Sequence, residues 1–244
     1  MENEQQIFGL RAIIEAIQAG KEVDRVFIQK EASGELMKDL MKVMKRNDIN
    51  FTYVPVEKLN RLTHNNHQGA VATISPVGFY DLETLVAQTL ETNKAPLFLI
   101  LDQLSDARNF GAIIRTAECT GVSGIIVQKQ GSAPVNGDTV KTSAGAVFNV
   151  PICKVAHIKD AIFFLQGSGI KTVAATEKTE TSIYELDLTQ PLAIVMGSEE
   201  RGVNPSVLNV IDEKDKLPMF GSIGSLNVSV AAGAFLYEAV RQRQ

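Results

Sequence analysis

Residues 97–117 read Leu97-Phe-Leu-Ile-Leu-Asp-Gln-Leu-Ser-Asp-Ala-Arg-Asn-Phe-Gly-Ala-Ile-Ile-Arg-Thr-Ala117. Leu97–Leu101 is an uninterrupted apolar run, which predicts a strand. A polar loop follows, then a helix running through Cys119. Further strands are predicted at Gly124–Val127, Thr172–Ala175 and Ala193–Met196. These runs carry almost no polar residues, the pattern of parallel strands covered on both faces. The chain from about residue 96 to 244 therefore reads as a parallel-sheet α/β domain.

The front of the chain reads as a separate, smaller α/β domain over residues 1–77. Ile7, Leu10, Ile13, Ile14 and Ile17 predict a helix across 7–19 that Gly20 stops. Strands are predicted at Val23–Gln29, Phe51–Val54 and Gly69–Ile74, with helices over 34–46 and Val56–Leu62. Between the domains, residues 78–95 contain Gly78 and a polar helical stretch ending at Pro96, and read as a linker.

Composition narrows the class. The chain has 244 residues, 45% hydrophobic and 21% charged, ample for sizeable cores. No apolar run approaches a membrane span, and the acidic, polar first residues do not resemble a secretory signal. Cys119 and Cys153 are isolated, which favours a reducing, cytoplasmic setting. A net charge of −4 argues against a general nucleic-acid binder. A local basic patch is still compatible with it, because screening confines such attraction to about 10 Å. Lys38, Lys42, Lys45 and Arg46, at helical spacing, and Arg61 are candidates for one; a solvated helix face is the plainer reading.

Three segments of the second domain share a layout of apolar run, polar glycine-containing loop and helix. In the first, Asn109 is a candidate helix N-cap, and Arg115 sits among apolar neighbours and needs a carboxylate or phosphate. In the second, Met196-Gly-Ser-Glu-Glu-Arg-Gly202 follows a buried strand, where open α/β sheets hold ligands. The third reads Leu217-Pro-Met-Phe-Gly-Ser-Ile-Gly-Ser-Leu-Asn-Val-Ser-Val-Ala-Ala-Gly233, with Ser225 opening a helix that runs to Arg243. Ser225, Asn227 and Ser229 are more polar groups than capping needs. No dinucleotide or phosphate-loop glycine signature is present, and His64-Asn-Asn-His67 lacks further ligands for a metal.

In that order the three segments resemble the motifs of the SpoU (TrmH) branch of the SPOUT RNA methyltransferases. The front domain, with Ile7-Phe-Gly and His67-Gln-Gly-Ala-Val, is similar to the substrate-binding domain of the subgroup that methylates 23S rRNA. The resemblance implies a deep trefoil knot in the C-terminal domain, a homodimer, and S-adenosylmethionine as the only cofactor, without a metal. It implies 2′-O-methylation of a guanosine ribose in 23S rRNA, with a tRNA ribose or a non-catalytic RNA-binding role as alternatives. Carried over by position, Gly197, Leu217 and Leu226 would hold the cofactor through backbone groups, with Thr176 beside them. Asn109, Arg115, Glu199 and Asn227 match the catalytic or substrate-contacting positions. A guanidinium stays protonated, so Arg115 is expected to bind phosphate and stabilise oxyanion charge rather than act as a base. Glu199 is expected to orient Arg115 or accept the proton.

Overall fold

The computed structural model describes residues 6–244, which form two compact units. One ends at Gly78 and also takes in 134–136; the other holds 79–133 and 137–244.

The first unit is a four-stranded sheet in the order β1-β4-β2-β3, with β1 Gln6–Phe8, β2 Val23–Gln29, β3 Phe51–Val54 and β4 Ala70–Ile74. Only the β2–β3 pair is parallel. Helices α1 (Leu10–Gln18) and α2 (Glu35–Arg46) cover one face, burying Ile13, Leu40 and Met44 over Val26, Ile28 and Ala72. On the other face α3 (Val56–Leu62) sets Leu59 against Val71 and Val54. The helix expected over 7–19 starts at Leu10. Gly9 has φ 89°, a turn that suits glycine, and it leaves Ile7 extended and paired with Ala72.

The second unit is a six-stranded, wholly parallel sheet. Its strands are β5 Leu97–Leu101, β6 Gly124–Gln128, β7 Ile152–Val155, β8 Lys171–Ala175, β9 Leu192–Met196 and β10 Glu213–Asp215, in the order β10-β8-β9-β5-β6-β7. The two central strands β5 and β9 are buried at every residue. Helices α4 (Leu82–Thr92), α5 (Ala107–Cys119), α6 (Gly137–Thr142), α7 (Ile158–Gly167), α8 (Pro205–Leu208) and α9 (Val228–Gln242) accompany the sheet. Most of the stretch expected as linker is thus α4. Its Leu85 and Val86 bury with Phe98 and Ile162, and a Cβ at Gly124 would press on Leu85.

Two helix starts differ from expectation. Asp106, not Asn109, caps α5, accepting the Asn109 N–H at 2.7 Å. The last helix opens at Val228, not Ser225, because Asn227 supplies the cap by accepting the Ser229 N–H at 2.9 Å. Its far end is fastened by Arg243, whose guanidinium donates to the carbonyls of Leu188, Ala95 and Gln190 at 2.7–2.8 Å.

Strand β10, Glu-Lys-Asp, has no apolar signal; its pairing with β8 makes it a strand. Asp215 there is fully buried, and neither carboxylate oxygen has a hydrogen-bond donor among the described residues. Burial, reinforced by nearby Glu213, pushes its carboxyl from 3.8 up to about 6. The folded state therefore holds a proton that the unfolded chain releases, so this group makes stability fall as pH rises from about 4 to about 6. Asp215→Asn is expected to raise the thermal unfolding midpoint at pH 8 and to change it little at pH 4.

Candidate active site

The carboxyl ends of β8, β9 and β10 open onto a pocket of about 510 Å³. Ala175 and Thr176 reach it from β8, Met196 and Gly197 from β9, and Lys216 and Leu217 from β10. Ser225, Leu226, Val228 and Phe235 complete the wall from the segment leading into α9. This is the position where a parallel sheet leaves a crevice for ligands.

The wall at β9 is built by a tight return of the chain. Ser198 and Gly202 exchange backbone hydrogen bonds at 3.2 and 2.9 Å, and Gly202 takes φ 65°. The returning Gly202–Val203 peptide lies where a Cβ on Gly197 would be, so only glycine fits there. Asp102, at the end of β5, pins the continuation by accepting the Asn204 N–H at 2.7 Å. Burial pushes the Asp102 carboxyl up, and that hydrogen bond opposes the shift.

At the rim, three segments far apart in sequence meet through side chains. Glu199 Oε1 accepts from Asn109 Nδ2 and from Asn227 Nδ2, both at 2.6 Å. Asn227 Nδ2 also lies 3.2 Å from Asn109 Oδ1. Asn227 therefore caps α9 with its oxygen and joins this cluster with its nitrogen. One carboxylate oxygen thus fixes two amides: both polar atoms of Asn227 are engaged within the chain, while Glu199 Oε2 has no hydrogen bond among the described residues and can accept from a substrate hydroxyl.

All four residues expected to hold a cofactor, Thr176, Gly197, Leu217 and Leu226, line the pocket. Of the four expected polar residues, Asn109, Glu199 and Asn227 are brought together. Arg115 is not among them. It is exposed on α5, six residues beyond Asn109, and Glu199 binds the two asparagines instead of orienting it. The small residues of α9 serve packing within the chain: Ala232 is fully buried and Gly233 faces Thr116 of α5. Asp102 and Asp106 escaped the sequence reading. The visible signal for Asp102 was a charge directly after five apolar residues.

The second unit matches the family described as SpoU rRNA Methylase over residues 96–237. The chain belongs to the SpoU rRNA methylase family. Residues 6–80 match a second model, RNA 2′-O ribose methyltransferase substrate binding. A Staphylococcus saprophyticus protein named as a TrmH family tRNA/rRNA methyltransferase is 35% identical, covering 97% of this chain and 95% of its own. Among solved structures, the SpoU methyltransferase AviRb of Streptomyces viridochromogenes, in complex with AdoMet, aligns with TM-score 0.62 and 25% identity. It covers 98% of this chain and 90% of its own. The TrmH/SpoU tRNA modifying enzyme of A. aeolicus aligns with TM-score 0.56 and 31% identity, over 66% of this chain and 84% of its own.

This SpoU protein is a methyltransferase that uses S-adenosylmethionine and acts on RNA, and its pocket suits that cofactor. The volume falls in the usual range for small-molecule sites, about 300–1,000 Å³. Apolar side chains of Ala175, Met196 and Phe235 alternate with polar groups of Thr176 and Ser225. Among the described residues, none hydrogen-bonds residues 217–226, so their backbone groups are available to a ligand. Gly197→Ala is expected to abolish S-adenosylmethionine binding in calorimetry. Glu199→Ala should leave cofactor affinity within about twofold but lower kcat at least about a hundredfold; Glu199→Gln, which keeps an acceptor oxygen, should lose less.

Proposed function

We propose that the enzyme methylates the ribose 2′-OH of a guanosine in 23S rRNA. The observation that carries the assignment is the Asn109–Glu199–Asn227 cluster on the rim of the pocket. It gathers hydrogen-bonding groups suited to a ribose beside a site suited to the methyl donor. The preference for rRNA over tRNA rests on the front unit. The tRNA-modifying relative aligns over only 66% of this chain, while the front unit matches a model for substrate binding by ribose methyltransferases.

The residue roles follow from their chemistry. Thr176, Gly197, Leu217 and Leu226 hold the methyl donor at the strand ends. S-Adenosylmethionine, when bound, supplies an electrophilic methyl group, so the chain must position a weakly acidic hydroxyl and accept its proton. Asn109 and Asn227 hold the ribose, and Glu199, the carboxylate of the cluster, takes the proton. Arg115 binds a phosphate and stabilises the developing oxyanion. Residues 1–77 grip the RNA and residues 96–244 carry out transfer, with a trefoil knot threading the cofactor-binding segments.

Arg115 lies outside the cluster of its own chain, which supports action as a homodimer in which it serves the other copy's site. Val230 and Tyr237, seven residues apart on α9, are both more than half exposed and give that copy an apolar stripe to cover. A cytoplasmic location follows from an rRNA substrate.

The test is transfer of labelled methyl from S-adenosylmethionine to purified 23S rRNA, 16S rRNA and tRNA, with the product mapped. Label on a 23S guanosine ribose is expected; label on tRNA alone would overturn the choice of substrate. Arg115→Ala is expected to bind the cofactor normally and to lose methyl transfer by at least about a hundredfold. Mixed dimers of Arg115→Ala with Glu199→Ala chains should regain part of the activity.

A further inference from the structure

The first unit carries a surface that the pocket chemistry leaves unused. Strand β3 lies at the edge of its sheet, and its Phe51 and Tyr53 are 41% and 53% exposed. Their rings meet edge to face, with centroids 5.5 Å apart and planes at 84°. Such a notch leaves aromatic surface open to water. The unit covers its other aromatic rings more fully: Phe27 and Phe8 pack against the Leu59 cluster, and Lys58 sits 5.1 Å above the Phe27 ring.

The parallel register decides which side the pair occupies. Phe51 lies beside Val26 and Tyr53 beside Ile28, so both rings project toward the face covered by α2. Met37, Leu40 and Met44 point α2 into that core. Residues 38, 41 and 45 then follow one flank of the helix, and 36 and 43 the other. A right-handed crossover from β2 through α2 to β3 turns the 38–41–45 flank toward the edge strand. Lys38 and Lys45 are exposed on that flank. Lys42 is paired with Asp39 at 3.2 Å, whereas Lys38 and Lys45 have no ion pair among the described residues.

Open aromatic rings flanked by ammonium groups match one kind of polymer segment. Unpaired nucleotides offer base faces for stacking and phosphates for the lysines. A paired RNA helix hides its base faces and meets proteins by shape and backbone. We propose that Phe51 and Tyr53, with Lys38 and Lys45, form a stacking site for unpaired nucleotides of the RNA substrate. The identity of the polymer rests on the RNA methyltransferase reading; the site itself rests on the geometry of the first unit.

The test uses the full chain and a labelled oligouridine strand, with an RNA duplex of equal length as control. Phe51→Leu/Tyr53→Leu is expected to raise the Kd for the single strand by about tenfold or more, while affinity for the duplex and for S-adenosylmethionine stays at the wild-type value. Tyr53→Phe should bind like the wild type. Lys38→Ala/Lys45→Ala should weaken single-strand binding and flatten its salt dependence. Because the chain has no tryptophan, Tyr53→Trp gives a single indole reporter in an otherwise unchanged protein. Its fluorescence should be quenched by oligouridine and not by the duplex. Unchanged single-strand binding in the double leucine variant, or an unquenched indole, overturns the site. Altered self-association in sedimentation, with RNA binding intact, overturns it in favour of strand pairing between copies. Loss of methyl transfer to every RNA, with stacking intact, would instead count against the proposed reaction alone.

Discussion

The return of the chain over Gly197 is the constraint on which the site depends. The peptide joining Gly202 to Val203 occupies the volume that any side chain at 197 would need. That close approach folds the five residues after β9 into a tight loop instead of letting them run on into a helix. It aims Glu199 at the rim, and Asp102 locks the exit of the loop by binding the Asn204 N–H. Without this backbone contact, the carboxylate that joins Asn109 to Asn227 would have no fixed position.

The parallel sheet supplies the rigid frame for that loop. β5 and β9 are buried throughout and lie side by side in register from Leu97↔Leu192 to Leu101↔Met196. Their ends therefore hold Asp102 and Gly197 at a constant spacing, in an interior that resists deformation. Polar groups then appear only where the strands stop, which is also where a cofactor can enter. Residues 217–226 have the opposite character, with no hydrogen bond among the described residues. The pocket thus sets a tightly bonded β9 loop against the 217–226 segment, whose backbone groups are open to a ligand.

Much of this was legible in the residues. The all-apolar runs predicted the central strands to within a residue at each end, because a strand buried on both faces tolerates almost no polar side chain. Gly197, Leu217 and Leu226 were nameable from their motifs and Thr176 from its place after the strand Thr172–Ala175, and all four line the pocket. Elements held by partners more than by composition were not legible. β10 is charged at all three positions and is a strand only through β8. The stretch around α4 looked like a connection because its polar residues outnumber its apolar ones, yet its two buried residues, Leu85 and Val86, join the core of the second unit. The start of α9 was misplaced by three residues, because Ser225 and Asn227 are equally good caps in isolation and only the fold selects between them.

By itself the sequence determined the α/β class and the residue types available for chemistry, since these follow from local hydrophobic pattern and composition, and its resemblance to a family set the three motifs in order. Only the tertiary structure decided how those residues are grouped. Asn109, Glu199 and Asn227 lie 90 and 118 positions apart along the chain from first to second and first to third, and they converge on one oxygen. Arg115, only six residues from Asn109, is left outside, because a helix carries that residue to a different side. Closeness along a helix is set by its period, whereas closeness at an active site is set by where separate strands end.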